Sequence, residues 1–406
     1  MSLDLHRSRG YPLERQISSW KNLVQEPVSK LDDDALTKVR VVLMNGIELE
    51  SIHFSRCFAR VSDTEMRRHL AKVRRVEQQQ ATTINWLLPA DLSPLETTII
   101  YEQVATEITA AVAQIEPDEY LAQCYRFGLL EDFDHLFRYS ALLDRLEGKD
   151  AADILQGYTD ILPGRPTFYH HRDPMDDVRN HFDGKKADPI TQFNALTIMA
   201  AEQQTWNYYM NIGPMFSDPV ARQIYAEIAS VEEQHVTHYS SMIDPNQSWL
   251  ERWVMHEVNE AYLYYTCMEQ ETNPRIKAIW ERFLDFELAH LRYVSDLFEK
   301  TEKRDIAEIL PKTFPDPLPM RSNREFVRSC VLEEVDLRAR GTEFVPAELE
   351  SEATRKYRRT VHAHGDPAAA VSRYYWWAPG GELNRENPPE IPADENLFER
   401  QEETRL

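Results

Sequence analysis

A chain of 406 residues, 42% of them hydrophobic, is long enough to bury two cores. With 12 glycines and 28% charged residues it favours long helices over turn-rich β structure, and a formal charge of −22 excludes a broad nucleic-acid surface, which needs clustered cations against phosphate. Cys57, Cys124, Cys267 and Cys330 stand far apart without a CxxC spacing, so they read as core thiols in a reducing compartment rather than as disulfides or zinc ligands. No apolar run of about 18 residues and no signal-peptide start are present, and the expectation is a soluble cytoplasmic protein with no membrane partner.

In chain order, the pattern predicts helices near 34–60, 63–88, 94–115 and 118–147, with Ser62-x-x-Glu65 as a capping box and Ser93-Pro94 as another start. These make a first helical bundle over 1–147. A connector rich in Pro, Asp and His follows over 148–187. Asp188-Pro189, Asp218-Pro219 and Asn273-Pro274 each pair a side-chain cap with proline at the first helical position. They open helices near 189–212, 218–242 and 274–300, with a further helix over 248–270, and together these make a second bundle over 188–303. An extension over 304–406 holds a Pro-rich stretch, a helix near 324–339 and a polar acidic tail, extended or disordered over its last 25 or so residues. The fold class expected is all-α, two tandem four-helix bundles and a C-terminal helical or extended tail.

The inward stripe of the sixth helix reads Ala221, Tyr225, Ile228, Glu232, His235, Tyr239, Met242, and that of the eighth reads Ile276, Trp280, Phe283, Glu287, His290, Val294, Leu297. Each is apolar except for one Glu-x-x-His. The fifth and seventh helices carry Glu202 and Glu257 at mid-height. Glu202 to Glu232 and Glu257 to Glu287 are both 30 residues apart, and Glu202 to Glu257, Glu232 to Glu287 and His235 to His290 are each 55, so one helical hairpin is used twice. Unpaired buried carboxylates cost several kcal/mol apiece or take up protons. Two divalent cations would neutralise four of them, with the histidines as nitrogen ligands. Positions i and i+3 share a helix face, which lets each Glu-x-x-His grip one metal.

With Glu202, Glu232-x-x-His235, Glu257 and Glu287-x-x-His290 in order, about 110 residues resemble the ferritin-like dinuclear carboxylate superfamily. The resemblance implies two divalent ions held by those six residues, and an oxidoreductase that activates dioxygen or peroxide. The hard oxygen and imidazole set favours iron, with manganese or a mixed pair as the alternative. No rubredoxin-like cysteine site is present, so electrons would come from a separate partner; the small-molecule substrate is unidentified. A non-catalytic metal-binding or structural protein is the rival reading. A substrate-sized cavity beside the metals would favour the enzyme and a sealed core the rival.

One feature departs from that superfamily, which joins its second and third helices by a long crossover. Only about six residues separate the sixth and seventh helices here, too few at roughly 3.4 Å each to traverse a helix about 35 Å long. Either the bundle is up-down-up-down, or hairpins from different parts of the chain, or of a homodimer, associate. The first half repeats the frame as Glu48, Glu77, Glu102 and Glu131, with Gln80 and Asp134 where histidines would stand. It reads as a degenerate copy without a tight dinuclear site, His53 and His135 being nearby substitutes. Glu260 lies one turn from Glu257 as an alternative or added ligand, although the 55-residue offset selects Glu257. Trp206, Tyr208, Tyr209, Tyr262, Tyr264 and Tyr265 surround the site and read mostly as packing, though a tyrosine beside a high-valent metal can carry a radical. The segment with His170, His171 and His181 offers metal-binding side chains but reads first as a cap and cover for a bundle end, the Arg67 to Arg75 basic run as a solvated face or a counter-charge to acidic neighbours, and 373–381 as an anchoring patch for the tail.

Overall fold

The computed structural model describes residues 3–377. It is mainly helical. The eight long helices are α1 Ala35–Val61, α2 Thr64–Asn85, α3 Pro94–Ile115, α4 Glu119–Glu147, α5 Pro189–Ile212, α6 Pro219–Ser240, α7 Trp249–Gln270 and α8 Pro274–Glu302. Side chains cap each start: Asp188 and Asp218 accept N–H groups ahead of prolines at the first helical position, and Ser93 with Glu96 and Ser248 with Glu251 form reciprocal capping boxes. At α2 the cap is Asp63, which accepts the Met66 N–H at 2.8 Å; Ser62 instead donates to the Phe58 carbonyl of the preceding helix. The final 25 or so residues, and the end of the 373–381 patch, lie outside the described residues.

Consecutive helices pair as hairpins, α1 with α2, α3 with α4, α5 with α6 and α7 with α8. Helix α1 also packs against α3, α5 and α7, and α5 against α3 and α7, so the odd-numbered helices meet in the middle. Their sequences show why: α3 buries 18 of its 22 residues, whereas α2, on the outside, buries 8 of 22. One continuous hydrophobic core extends through both halves of the chain, in place of the two separate cores expected for 1–147 and 188–303. At its centre Gly46 lets α1 come close to α5, where Asn45 donates to the Gln204 side chain at 2.6 Å and Gln204 donates to the Val42 carbonyl at 3.0 Å.

The connector does more than cover an end. It lies along α4, the Arg165 N–H donating to the Leu130 carbonyl at 2.9 Å, and then reaches the end of α6, where the Phe182 N–H donates to the Met242 carbonyl at 3.0 Å. In the extension, the helix expected near 324–339 stops at Glu334 (α9, Arg324–Glu334). Strands β1 Leu337–Arg340 and β2 Glu343–Pro346 follow, paired antiparallel with Arg340 opposite Glu343. Gly341, at φ +54°, makes the two-residue turn between them possible. Helices α10 Glu352–Val361 and α11 Pro367–Ser372 complete the described chain, α11 packing on α4 and α6.

Gly164 is where connector and α4 approach most tightly: a Cβ there would sit 2.2 Å from the Leu130 carbonyl oxygen and 2.9 Å from the Asp134 nitrogen. Both obstacles are backbone and cannot swing aside. Gly164→Ala is therefore expected to cost about 1–3 kcal/mol, as overpacking does, measured as a lowered urea midpoint with an unchanged slope; wild-type stability would show that the connector is not held against α4.

Candidate metal centres

Carboxylates and imidazoles converge at two separate places in the core. At the first, Asp132, Glu202, Glu232 and His235 bring ligand atoms within 4.8 Å of one another, and Glu102, His135 and Glu232 do the same, Glu232 belonging to both groups. These residues come from α3, α4, α5 and α6, four helices consecutive in the chain. At the second, Glu48, Glu260 and Glu287 converge, and so do Glu77, Glu257 and His290, from α1, α2, α7 and α8. We call these the inner and outer centres, because the hairpins of the outer one enclose those of the inner one along the sequence.

The two centres share a plan. A lone glutamate on one helix (Glu102; Glu48) is followed by an acid-x-x-His or acid-x-x-Gln pair (Asp132 and His135; Glu77 and Gln80), another lone glutamate (Glu202; Glu257) and a Glu-x-x-His (Glu232 and His235; Glu287 and His290). The first lone glutamate accepts a short hydrogen bond from a buried tyrosine, Tyr209 to Glu102 and Tyr264 to Glu48. Each tyrosine lies seven residues beyond the second lone glutamate of its own centre, two turns along the same helix. Gln80, in the place of His135, donates to Glu48 at 3.1 Å and Glu287 at 2.6 Å.

The histidines are held so that Nδ1 faces the carboxylates. Nε2 of His235 meets Glu131 at 2.9 Å, while Nδ1 lies 3.1 Å from Asp132 and 3.1 Å from Glu232. In His290, Nε2 meets the Gln16 side-chain oxygen at 2.7 Å and Nδ1 lies 3.0 Å from Glu287. Since the Gln16 amide nitrogen donates to the Tyr11 and Phe286 carbonyls, its oxygen accepts, and His290 Nε2 carries a proton. The same reasoning fixes His135. His170 Nε2 can only donate to the Arg165 carbonyl, so His170 Nδ1 accepts from His135 Nε2 at 3.1 Å, leaving the His135 Nδ1 lone pair directed inward. Outer hydrogen bonds that select the inward nitrogen are the usual support of metal-ligating histidines.

What the inward atoms lack is hydrogen-bond partners. Both oxygens of Asp132, Glu202 and Glu260, and one oxygen each of Glu48, Glu77, Glu102, Glu232 and Glu257, are buried without one, as is His135 Nδ1. His135 Nδ1 and Glu232 Oε1 are 3.0 Å apart yet make no hydrogen bond, as expected of atoms aimed at a common point. Buried acceptors are normally satisfied, and a cluster of unsatisfied carboxylates calls for a counter-charge. Burial and then neighbouring carboxylates hold Glu48, Glu102, Glu202, Glu257 and Glu260 well above the usual carboxylate range. Burial pushes Glu77 up to about 7. Burial opposes the charge of Glu232 too, but His135 and His235 outweigh it and bring it down to about 2. Glu131 is likewise held well below its usual range against its burial, chiefly by Arg172, 2.6 Å away, with His170, His235 and Arg165.

The structure thus does not bring Glu202, Glu232, His235, Glu257, Glu287 and His290 into one site. Glu202, Glu232 and His235 are inner; Glu257, Glu287 and His290 are outer. The short segment 241–248 is the reason: it hands the chain from one centre to the next and has no helix to cross. The longest connection among the eight long helices is the connector, between α4 and α5. Nor does the first half form a centre of its own. Glu102 completes the inner set and Glu48 and Glu77 the outer one, while Glu131 pairs with Arg165 and Arg172, and Asp134 with Arg138. The inner pair on α4 is Asp132-x-x-His135, one residue later than the frame read from Glu131, a spacing visible in the sequence once aspartate is admitted as a ligand. His53 stays at the surface beside Glu50. Glu257 and Glu260 are both outer ligand candidates. Gln16, Arg165, His170 and Arg172 carried no local signal, since each acts on residues far away in sequence.

A largely apolar cavity of about 470 Å³ lies in the seam between the two sets of hairpins, lined among others by Phe54, Met199, Gln203, Val236, Met255 and His256. Several of these adjoin ligand candidates in sequence, but no ligand candidate lines it. Among the described residues no helix is long and apolar enough to cross a membrane. No family model, no curated protein and no solved structure matches this chain.

The raised carboxylates make a pH prediction. A glutamate with a folded pKa above its ordinary 4.5 binds protons more tightly folded than unfolded, so its contribution is present in acid and is lost as pH rises, through about 7 at Glu77 and further for Glu48 and Glu202. Glu232, at about 2, works in the opposite sense and matters only below 4.5. In chelator, the melting temperature should be highest at mildly acid pH and fall as pH rises past 7, with added divalent cation reversing the fall. A chelated protein equally stable at pH 5.5 and 8 would contradict this.

Proposed function

We propose that both centres bind pairs of divalent metal ions and that the inner one is the reaction centre of an oxidoreductase acting on dioxygen or peroxide. The carrying observation is the inner set itself: four buried carboxylates with unpartnered oxygens and two imidazoles with Nδ1 facing them. Four carboxylate charges match two divalent ions, and the oxygen and imidazole donors suit iron, with manganese or a mixed pair as the alternative. The order lone glutamate, acid-x-x-His, lone glutamate, Glu-x-x-His over four consecutive helices, with the long connector after the second, supports the resemblance to ferritin-like dinuclear carboxylate proteins.

When bound, such a pair supplies the electrons and Lewis acidity that reduce dioxygen or peroxide. The chain's own part is positional. Glu102, Asp132, Glu202 and Glu232 supply the oxygen donors, and Glu131, clamped by Arg165 and Arg172, holds the His235 Nε2 proton. Tyr239, its ring centroid 6.3 Å from that of His235, is fully buried with no partner for its hydroxyl, so its phenolic proton is committed to nothing else. Electrons would come from a separate donor. The absence of any ligand candidate from the cavity walls favours the second reading, a metal-binding protein without turnover.

Two measurements bear on this. His135→Ala with His235→Ala should remove about two ions, roughly half of those bound across two dinuclear centres, while His290→Ala alone leaves the inner pair in place; a double variant retaining full metal content would sink the assignment. Anaerobically reduced, iron-loaded protein mixed with oxygen in a stopped-flow cell should show a transient absorbance, with altered decay in Tyr239→Phe. Inertness to both oxygen and peroxide, with reductant present, would establish the non-catalytic reading instead.

A further inference from the structure

Outside the two centres, a third group of ligating side chains meets where the extension docks. His171 comes from the connector, Glu227 from α6 and His362 from the residue just after α10. His171 Nε2 lies 3.6 Å and His362 Nδ1 3.8 Å from Glu227 Oε1, and the two imidazole rings stand 4.9 Å apart at 75°. The Ala368 N–H donates to Glu227 Oε2 at 3.1 Å, which fixes the carboxylate and leaves Oε1 toward the histidines. His171 is 2% exposed, yet neither ring nitrogen has a hydrogen-bond partner; Glu227 Oε1 and His362 Nε2 have none either. Purely structural histidines in a core use at least one nitrogen. The group opens onto a cavity of about 570 Å³ also lined by Gln223, Ser230, His364 and Asp366.

We propose that His171, Glu227 and His362 bind a single divalent transition-metal ion, separate from the carboxylate centres. Two imidazoles and one carboxylate form a borderline-soft donor set that suits zinc, iron or cobalt and discriminates against calcium and magnesium, which want oxygen alone. Neither His171 ring nitrogen is taken by a hydrogen bond, so a lone pair is available to an ion. The charge of Arg358 is met by Glu350 at 2.9 Å and that of Arg172 by Glu131 and Asp177, and the cavity-lining Asp366 adds a carboxylate beside the group. Three protein ligands leave positions open toward the cavity for water or an exogenous donor. The ion would tie together three segments distant in sequence, and so fasten the extension to α6.

The test is cobalt(II) uptake by metal-free, full-length protein, followed by visible absorbance and by metal content after desalting. His362→Ala and Glu227→Gln should each take up one equivalent less than wild type, and His362→Ala added to the His135 and His235 double variant should remove one equivalent more. Glu227→Gln keeps its shape and an oxygen for the Ala368 N–H, so it decides the question if His362→Ala loses its cooperative thermal transition. Uptake by Glu227→Gln equal to wild type would overturn the proposal and leave water as the occupant. The result is separable from the dinuclear reading: if the carboxylate centres took up nothing, a single equivalent lost in these variants would still establish this site.

Discussion

Carboxylate burial is the constraint on which the rest of this fold depends. Nine acidic side chains, Glu48, Glu77, Glu102, Asp132, Glu202, Glu232, Glu257, Glu260 and Glu287, converge at two points in a helical core and are almost wholly withdrawn from solvent. Arg165 and Arg172, which lie beside the inner set, are taken by Glu131, which is not among the nine. Unneutralised, such a set would force protonation or open the helices apart. Well-capped, long helices with apolar stripes supply the scaffold that withstands this; the polar residues at mid-height interrupt each stripe for only a turn.

Chain order explains why the centres are coupled to the connector and the extension. Helices α3 to α6 surround the inner centre without help from the outer hairpins, but they need a path from the end of α4 back to the start of α5. The connector is that path, and it carries the outer supports of both inner histidines: His170 fixes His135, while Arg165 and Arg172 clamp Glu131 against His235. The next residue along from His170, His171, faces the extension. A displacement of this one segment would therefore loosen the side chains of the inner centre and release the extension together. The outer centre has a counterpart at the N-terminus, where Gln16 holds His290.

The sequence was legible where the signal was local. Aspartate or asparagine followed by proline located the starts of α5, α6 and α8, and apolar stripes broken by one Glu-x-x-His marked the faces that carry the buried carboxylates and imidazoles. Which hairpins associate was not legible, because all four carry similar stripes and a 55-residue repeat describes internal similarity, not contact. The repeat grouped the hairpins that are most alike, α5/α6 with α7/α8, whereas each packs around a centre with a less similar partner. The short 241–248 segment was the clue against that grouping. The one-residue shift on α4 had a related cause: counting offsets favoured Glu131, while the geometry takes Asp132 and His135 and gives Glu131 to the arginines. The β1–β2 hairpin went unread because Arg338 and Arg340 alternate with Leu337 and Ala339 over only four residues, too short a run to outweigh the helix before it.

The two centres have diverged in one direction. Where the inner centre has His135, the outer one has Gln80, whose amide nitrogen donates to Glu48 and Glu287; and where α5 has a single glutamate, α7 has Glu257 and Glu260. The outer set thus exchanges a neutral nitrogen donor for a carboxylate, five acidic residues with one histidine against four with two. Replacing imidazole by carboxylate moves a site toward harder, more highly charged cations and away from nitrogen-seeking ones. The amide of Gln80 also partly satisfies two carboxylates, which lowers the cost of the extra negative charge. Glu260 therefore compensates for the missing histidine as a ligand candidate, and the outer centre is better suited to holding charge, while the inner one keeps the balanced set on which the proposed chemistry rests.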